Sequence, residues 1–265
     1  MGLQKLGITL AEQCARYANA CGKSSVLHTK PVHIPNVEGL RYARGLTEDV
    51  VQLSENNAEK LFSSLEKNII NKIKSGKIET AKVIDKNGNL VNDIKFIGDR
   101  YSVRISPECI FRDGIMDKFI DATYVHNHPF NAPLSSNDIY QMALLKLKKM
   151  VACTSDGGYS LMRRLKPISE MNYNEFVNAA GRLNSEEIQQ MKYLGKKRGL
   201  TDIQRMELLN KWRYERFNAF ADEFGLEFKS DISAISSKNS DIDGNLFSVN
   251  PLQRLIDNII IKFVC

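Results

Sequence analysis

The segment Asp121-Ala-Thr-Tyr124-Val-His126-Asn-His128-Pro129 constrains the chain most. Its residues favour an extended conformation up to a proline, which cannot donate to a ladder, so a strand has to end there and the chain has to turn. A few residues on, Ser135-Ser-Asn-Asp138 opens an amphipathic run over 136–149, with Ile139, Met142, Leu145 and Leu147 among its apolar positions. Ser135 or Ser136 can cap that helix, which sets Asp138 in its first turn. A strand feeding a helix in this way predicts an α/β fold. Alternate side chains of a strand share a face, so His126 and His128 can present two imidazoles to one point, with Asp138 facing back toward them. Two histidines and one carboxylate, with a fourth position open to water, are the ligand set of a catalytic zinc and not of a structural one.

The flanking sequence extends this plan. Thr47 is placed to cap a long helix, with Glu48 and Asp49 in its first turn and Ala58, Leu61, Phe62, Leu65, Ile69 and Ile73 along one face; Gly76 is placed to end it. From Lys77 the chain turns β-branched, and Asn87-Gly88 between two such runs signals a hairpin. Residues 151–154 and 159–162 read as strands joined by Ser155-Asp-Gly-Gly158. From about Pro167 onward strand signals nearly vanish and charged helical sequence takes over, with Thr201 and Gln204 spaced as a capping box. The expected organisation is an N-terminal extension over 1–49 with a short helix at 8–22, and an α/β core over 50–166. A charged helical region over 167–230 follows, then a polar loop and a C-terminal amphipathic helix over 231–265.

No run of eighteen apolar residues occurs, so nothing in the sequence reads as a membrane span. The N-terminus lacks the apolar core and cleavage site of a signal peptide. Five scattered cysteines, never paired as CxxC, argue against both a disulfide framework and a cysteine-rich zinc site. Together these predict a reducing, cytoplasmic setting, with delivery into another cell as an effector left open. The net charge of +6 is spread without a basic block and does not by itself argue for nucleic acid.

The pattern Glu79…His126-x-His128-Pro…Ser135-x-x-Asp138 resembles the signature of the JAMM (MPN+/JAB) zinc metallopeptidases, over about residues 70–166. The His-Asn-His-Pro core is most like bacterial and phage members, including RadC-like proteins. Six residues separate His128 from Ser135, one fewer than in many members, so Ser136 stands beside Ser135 as a candidate. The resemblance implies a JAB/MPN-like (cytidine-deaminase-like) mixed sheet flanked by helices. It also implies one Zn2+ per chain on His126, His128 and Asp138, Glu79 as general acid/base, and Ser135 assisting the oxyanion. The expected activity is hydrolysis of a peptide or isopeptide bond in a protein or peptide partner, including ubiquitin-like conjugates. The rivals are a RadC-like or phage-associated DNA-processing role and a non-catalytic zinc-containing interaction or morphogenesis module.

Other features read more plainly. His28 and His33 fit a surface, Cys109, Cys153 and Cys265 fit buried packing, and Trp212, Tyr214, Phe217, Phe220 and Phe224 fit a helical core. Asn239, Asp241, Asp243 and Gly244 begin like a calcium loop, but Asn250 stands where a bidentate glutamate belongs.

Overall fold

The computed structural model describes residues 61–110, 112–129 and 132–232. The expectations for residues 8–60, including the Thr47 cap and Ala58, for Cys265 and for the polar loop, calcium-like stretch and amphipathic tail beyond 232 lie outside them. Among the described residues the first helix, α1, spans Ser64–Ile73, and the expected helical run through Leu61, Phe62 and Leu65 is interrupted at Phe62 and Ser63. Ser63 starts it afresh: its hydroxyl accepts the Glu66 amide at 3.2 Å, and Glu66 Oε2 accepts the Ser63 amide at 2.6 Å. This reciprocal cap outweighs an apolar spacing that would have carried the helix through.

Among the described residues eight strands follow: β1 (Ala81–Ile84), β2 (Leu90–Val91), β3 (Phe96–Gly98), β4 (Val103–Ile105), β5 (Thr123–His128), β6 (Lys149–Thr154), β7 (Tyr159–Arg164) and β8 (Leu226–Ser230). Six form one mixed sheet in the order β2-β1-β5-β6-β7-β8, while β3 and β4 make a separate ribbon. Only β5 and β6 run parallel, Thr123 beside Lys149 through His128 beside Thr154. The helix α3 (Ser136–Leu144) lies between them in sequence. The expected hairpin forms between β1 and β2, and Asp85 Oδ1 accepts the Asn87 and Asn89 amides across its turn.

The sheet is covered on both faces. Val125, Val151, Cys153 and Leu161 pack with Ile69 and Ile73 of α1. Each such fully buried aliphatic side chain contributes about 2 kcal/mol. The opposite face carries Tyr124, Met150, Ala152 and Met162 against α3 and two long helices, α4 (Tyr173–Lys196) and α5 (Asp202–Phe224). A short α2 (Pro107–Ile110) and two 3-10 turns, Met116–Phe119 and Ile168–Glu170, complete the helices among the described residues.

The helix α3 ends sooner than residue 149, at Leu144, because Lys149 already belongs to β6. The sheet also does not stop at 166. Gly225, at φ +64°, caps α5 in the left-handed region that a glycine enters without a Cβ penalty, and β8 then returns antiparallel along β7. Thr201 caps α5 with Gln204 as expected. Phe217 and Phe220 are buried, whereas Tyr214 is exposed.

Candidate metal centre

Strand β5 ends at His128, immediately before Pro129. Its odd-numbered residues Val125 and Asn127 face α1, and its even-numbered ones, Tyr124, His126 and His128, face α3. Helix α3 starts from Ser135, not Ser136, and a capping box sets Asp138 at its third position. The three predicted ligands therefore meet. His126 and His128 approach through Nε2 at 2.9 Å, with Asp138 Oδ1 at 3.4 Å from His126 Nε2 and Oδ2 at 3.7 Å from His128 Nε2. One ligand atom from each lies within 4.8 Å of the others, so the triad could hold a metal ion.

The donor atoms fit a cation. His128 Nδ1 faces the Ala132 carbonyl at 2.9 Å. An Nδ1–H donated there leaves the Nε2 lone pair pointing at the convergence point. Asp138 Oδ2 accepts the Ser135 amide and hydroxyl, both at 2.7 Å, which orients the carboxylate and leaves Oδ1 toward His126. His126 Nδ1 is buried without a hydrogen-bond partner. With no cation between them, two Nε2 atoms this close must share a proton, which forces that Nδ1 to be an unsatisfied acceptor. A bound cation would accept both Nε2 lone pairs and remove the need for a shared proton between the two imidazoles.

Burial and the neighbouring His126 push the His128 imidazole down to about 4, so it stays neutral at physiological pH; the Arg213 charge acts in the same direction. Burial opposes ionisation of Asp138, yet the two histidines and the Ser135 amide hold its carboxyl well below the usual range. The Tyr124 hydroxyl is held protonated by burial and by the charges of Asp138 and Glu79.

Glu79 lines the same cleft as His128, Ser135 and Asp138, a cavity of about 200 Å³. Its position follows from register. Ala81 pairs with His126, and the Asn127 amide donates to the Thr80 carbonyl at 3.2 Å. Continuing that pairing by two residues sets Glu79 opposite His128. Asn127 fixes the segment from the other face: its Oδ1 accepts the Thr80 amide at 2.7 Å, and its Nδ2 donates to the carbonyls of Gly76 and Ile78 at 3.2 and 3.1 Å. The Glu79 amide donates to the Asp99 carbonyl at 2.7 Å, tying the segment to the β3–β4 ribbon. Ser136 is not a second Ser135: its hydroxyl donates to Asn184 Oδ1 at 3.2 Å, and it is absent from the cleft lining.

Sequence reasoning missed the far wall of this cleft. Asn184, Glu187 and Arg213, from α4 and α5, line it beside Asp138. Nothing in their spacing marks them, because they reach the site only once the two helices pack on α3. Among the described residues no helix is long and apolar enough to cross a membrane. No family model, curated protein sequence or solved structure matches the chain.

Proposed function

We propose that the protein is a zinc-dependent peptidase or isopeptidase of the JAMM type. The observation that carries this reading is the convergence of His126, His128 and Asp138, the last two lining a cleft that Glu79 and Ser135 also line. Three protein ligands leave a fourth position for water or substrate, which favours a catalytic over a structural role. The resemblance of the motif and the mixed sheet between helical layers support the family reading, including the JAB-like fold.

A zinc ion bound there supplies Lewis acidity, lowering the pKa of a water and polarising a carbonyl. Glu79 accepts the proton of the attacking water as oxygen adds to the amide carbon. The carbon–nitrogen bond then breaks, and Glu79 returns the proton to the departing amine. No acyl-enzyme forms. For Ser135 to assist the oxyanion, its hydroxyl has to turn from Asp138 Oδ2 toward the carbonyl oxygen. The protein or peptide substrate, ubiquitin-like or otherwise, enters between the β3–β4 ribbon and the α4–α5 wall.

The test joins metal content to activity on peptide and isopeptide substrates. Wild type should hold about one zinc per chain and His126→Ala none. Glu79→Gln should keep the zinc and lose at least about a hundredfold in turnover. A Glu79→Gln protein that cleaves normally would remove Glu79 from its role. Wild type without zinc after reconstitution would remove the enzyme reading.

A further inference from the structure

We infer that the buried Glu187–Arg213 pair, carried by the α4–α5 hairpin outside the zinc-binding motif, is a positioning device for the metal centre. It fixes the first turn of α3 and, through that turn, the direction of Asp138. The inference rests on the metal-binding reading above.

The first amides of a helix have no partner within it. In α3 the Asp138 amide is shared between the Ser135 carbonyl at 3.1 Å and the Ser135 hydroxyl at 3.3 Å, and the Ser136 amide goes to Glu187 Oε2 at 2.8 Å. A carboxylate there also suits the positive end of the helix. Glu187 is only 3 % exposed, and a buried carboxylate has to be paired. Arg213, 6 % exposed, does this from α5, donating from Nε at 3.1 Å and Nη2 at 2.6 Å to Glu187 Oε1. Arg213 Nη1 donates in turn to Asn210 Oδ1 at 3.3 Å. One oxygen of Glu187 thus belongs to the guanidinium and the other to the helix. One turn before Glu187, Asn184 accepts the Ser136 hydroxyl at 3.2 Å, so α4 grips Ser136 at two points.

Two features favour positioning over plain stability. A buried ion pair seldom stabilises a fold more than apolar residues of the same volume, so its contribution here lies in directional bonds to one backbone amide. The pair is also electrically balanced beside the metal ligands: Glu187 holds the helix while Arg213 offsets its charge, so Glu187 does not present a free second carboxylate to the cation. The hook acts two residues before Asp138, whose Oδ1 is the oxygen left to face His126.

The experiment uses the full chain, with cobalt(II) as a spectroscopic probe and zinc affinity beside it. Glu187→Ala should weaken zinc binding about tenfold or more and alter the visible cobalt bands, which report ligand geometry. Glu187→Gln keeps an acceptor for the Ser136 amide and should recover most of the wild-type spectrum; Glu187→Met, which keeps the volume but offers that amide no acceptor, replaces Glu187→Ala if the latter does not fold. Arg205→Ala is the stability control. Arg205 closes the α4–α5 turn through the Leu194 and Lys197 carbonyls, at 3.1 and 3.3 Å, far in sequence from Ser136. It should lower the melting temperature and leave the cobalt spectrum unchanged.

Amide hydrogen exchange at Ser136 in the metal-free protein is the readout that needs no metal. It should quicken in Glu187→Ala and not in Arg205→Ala. Equal spectra and equal Ser136 exchange in wild type and Glu187→Ala would overturn the inference. A wild type that binds no metal would overturn the zinc reading instead, and the exchange comparison would still decide whether Glu187 holds the helix.

Discussion

Asn127 stands between the two histidines in sequence and on the opposite face of β5, fully buried, with all its side-chain bonds directed at residues 76–80. It contributes no ligand atom, yet it anchors the backbone that carries Glu79. Asn127→Ala would leave one amide and two carbonyls without their partner, costing about 2–4 kcal/mol. Turnover should fall by roughly ten- to a hundredfold, because a small misplacement of a catalytic group is expensive. Zinc should stay bound, since His126 and His128 keep their own supports. Gly98 provides an independent handle on the same backbone: a Cβ there would sit 1.7 Å from the Glu79 carbonyl oxygen. Gly98→Ala should therefore reproduce the loss of turnover with zinc retained. Normal activity in both variants, measured beside metal content, would show that Glu79 does not depend on this support. In the neighbouring core, burial pushes the Cys153 thiol up to about 12, consistent with the packing role expected for it.

At the scale of elements, Ser135 joins a strand end to a helix start, and its cap can be tested as such. Ser135→Ala removes one of the two acceptors of the Asp138 amide, leaving the Ser135 carbonyl, and a donor to Asp138 Oδ2. Loss of an N-cap costs about 1 kcal/mol, and a lower melting temperature should appear with weaker zinc binding. Ser135→Thr, which keeps the hydroxyl, should restore most of both; a Ser135→Ala protein with wild-type melting and affinity would refute the cap. This element was legible in the sequence because every signal was local: a proline at 129, a serine cap, and Asp138 three residues on. The His-x-His alternation and the Asn87-Gly88 turn were legible for the same reason. What escaped depends on tertiary context. Strand β8 is only five residues long and follows a 23-residue helix; its pairing partner, β7, lies more than sixty residues back. The break before Ser64 lies inside an apolar pattern that periodicity alone reads as continuous. Glu187 and Arg213 carry no mark in a charged helical region where most such residues face solvent.

At the scale of the whole described fold, the sheet and its two helical layers enclose the candidate metal ligands, His126 and His128 buried and Asp138 partly so, and that burial has a pH signature. Within the unfolded chain His128 titrates at its ordinary value near 6.5, whereas in the folded protein it titrates at about 4. Between these values the unfolded state binds the extra proton, so stability rises with pH. The contribution is complete above 6.5 and is lost as pH falls through 4. The shift corresponds to about 3 kcal/mol. Asp138 works in the same direction at lower pH: its depressed carboxyl adds stability above 3.8 that disappears on further acidification. Zinc bound at the proposed site would add to this, because it takes deprotonated ligands; at a thousandfold excess over its dissociation constant, and without affinity for the unfolded chain, it would contribute about 4 kcal/mol. Urea melts of metal-free protein at pH 7, 5.5 and 4.5 should therefore show falling stability, and zinc should raise the midpoint most at pH 7. The net charge of +6 grows on acidification and destabilises every variant alike, so the comparison that isolates the site is wild type against His128→Asn. The variant should have a flatter profile between pH 6.5 and 4 and a smaller response to zinc. Parallel profiles would mean that the destabilisation arises elsewhere and that His128 does not enter the folded core as a neutral imidazole.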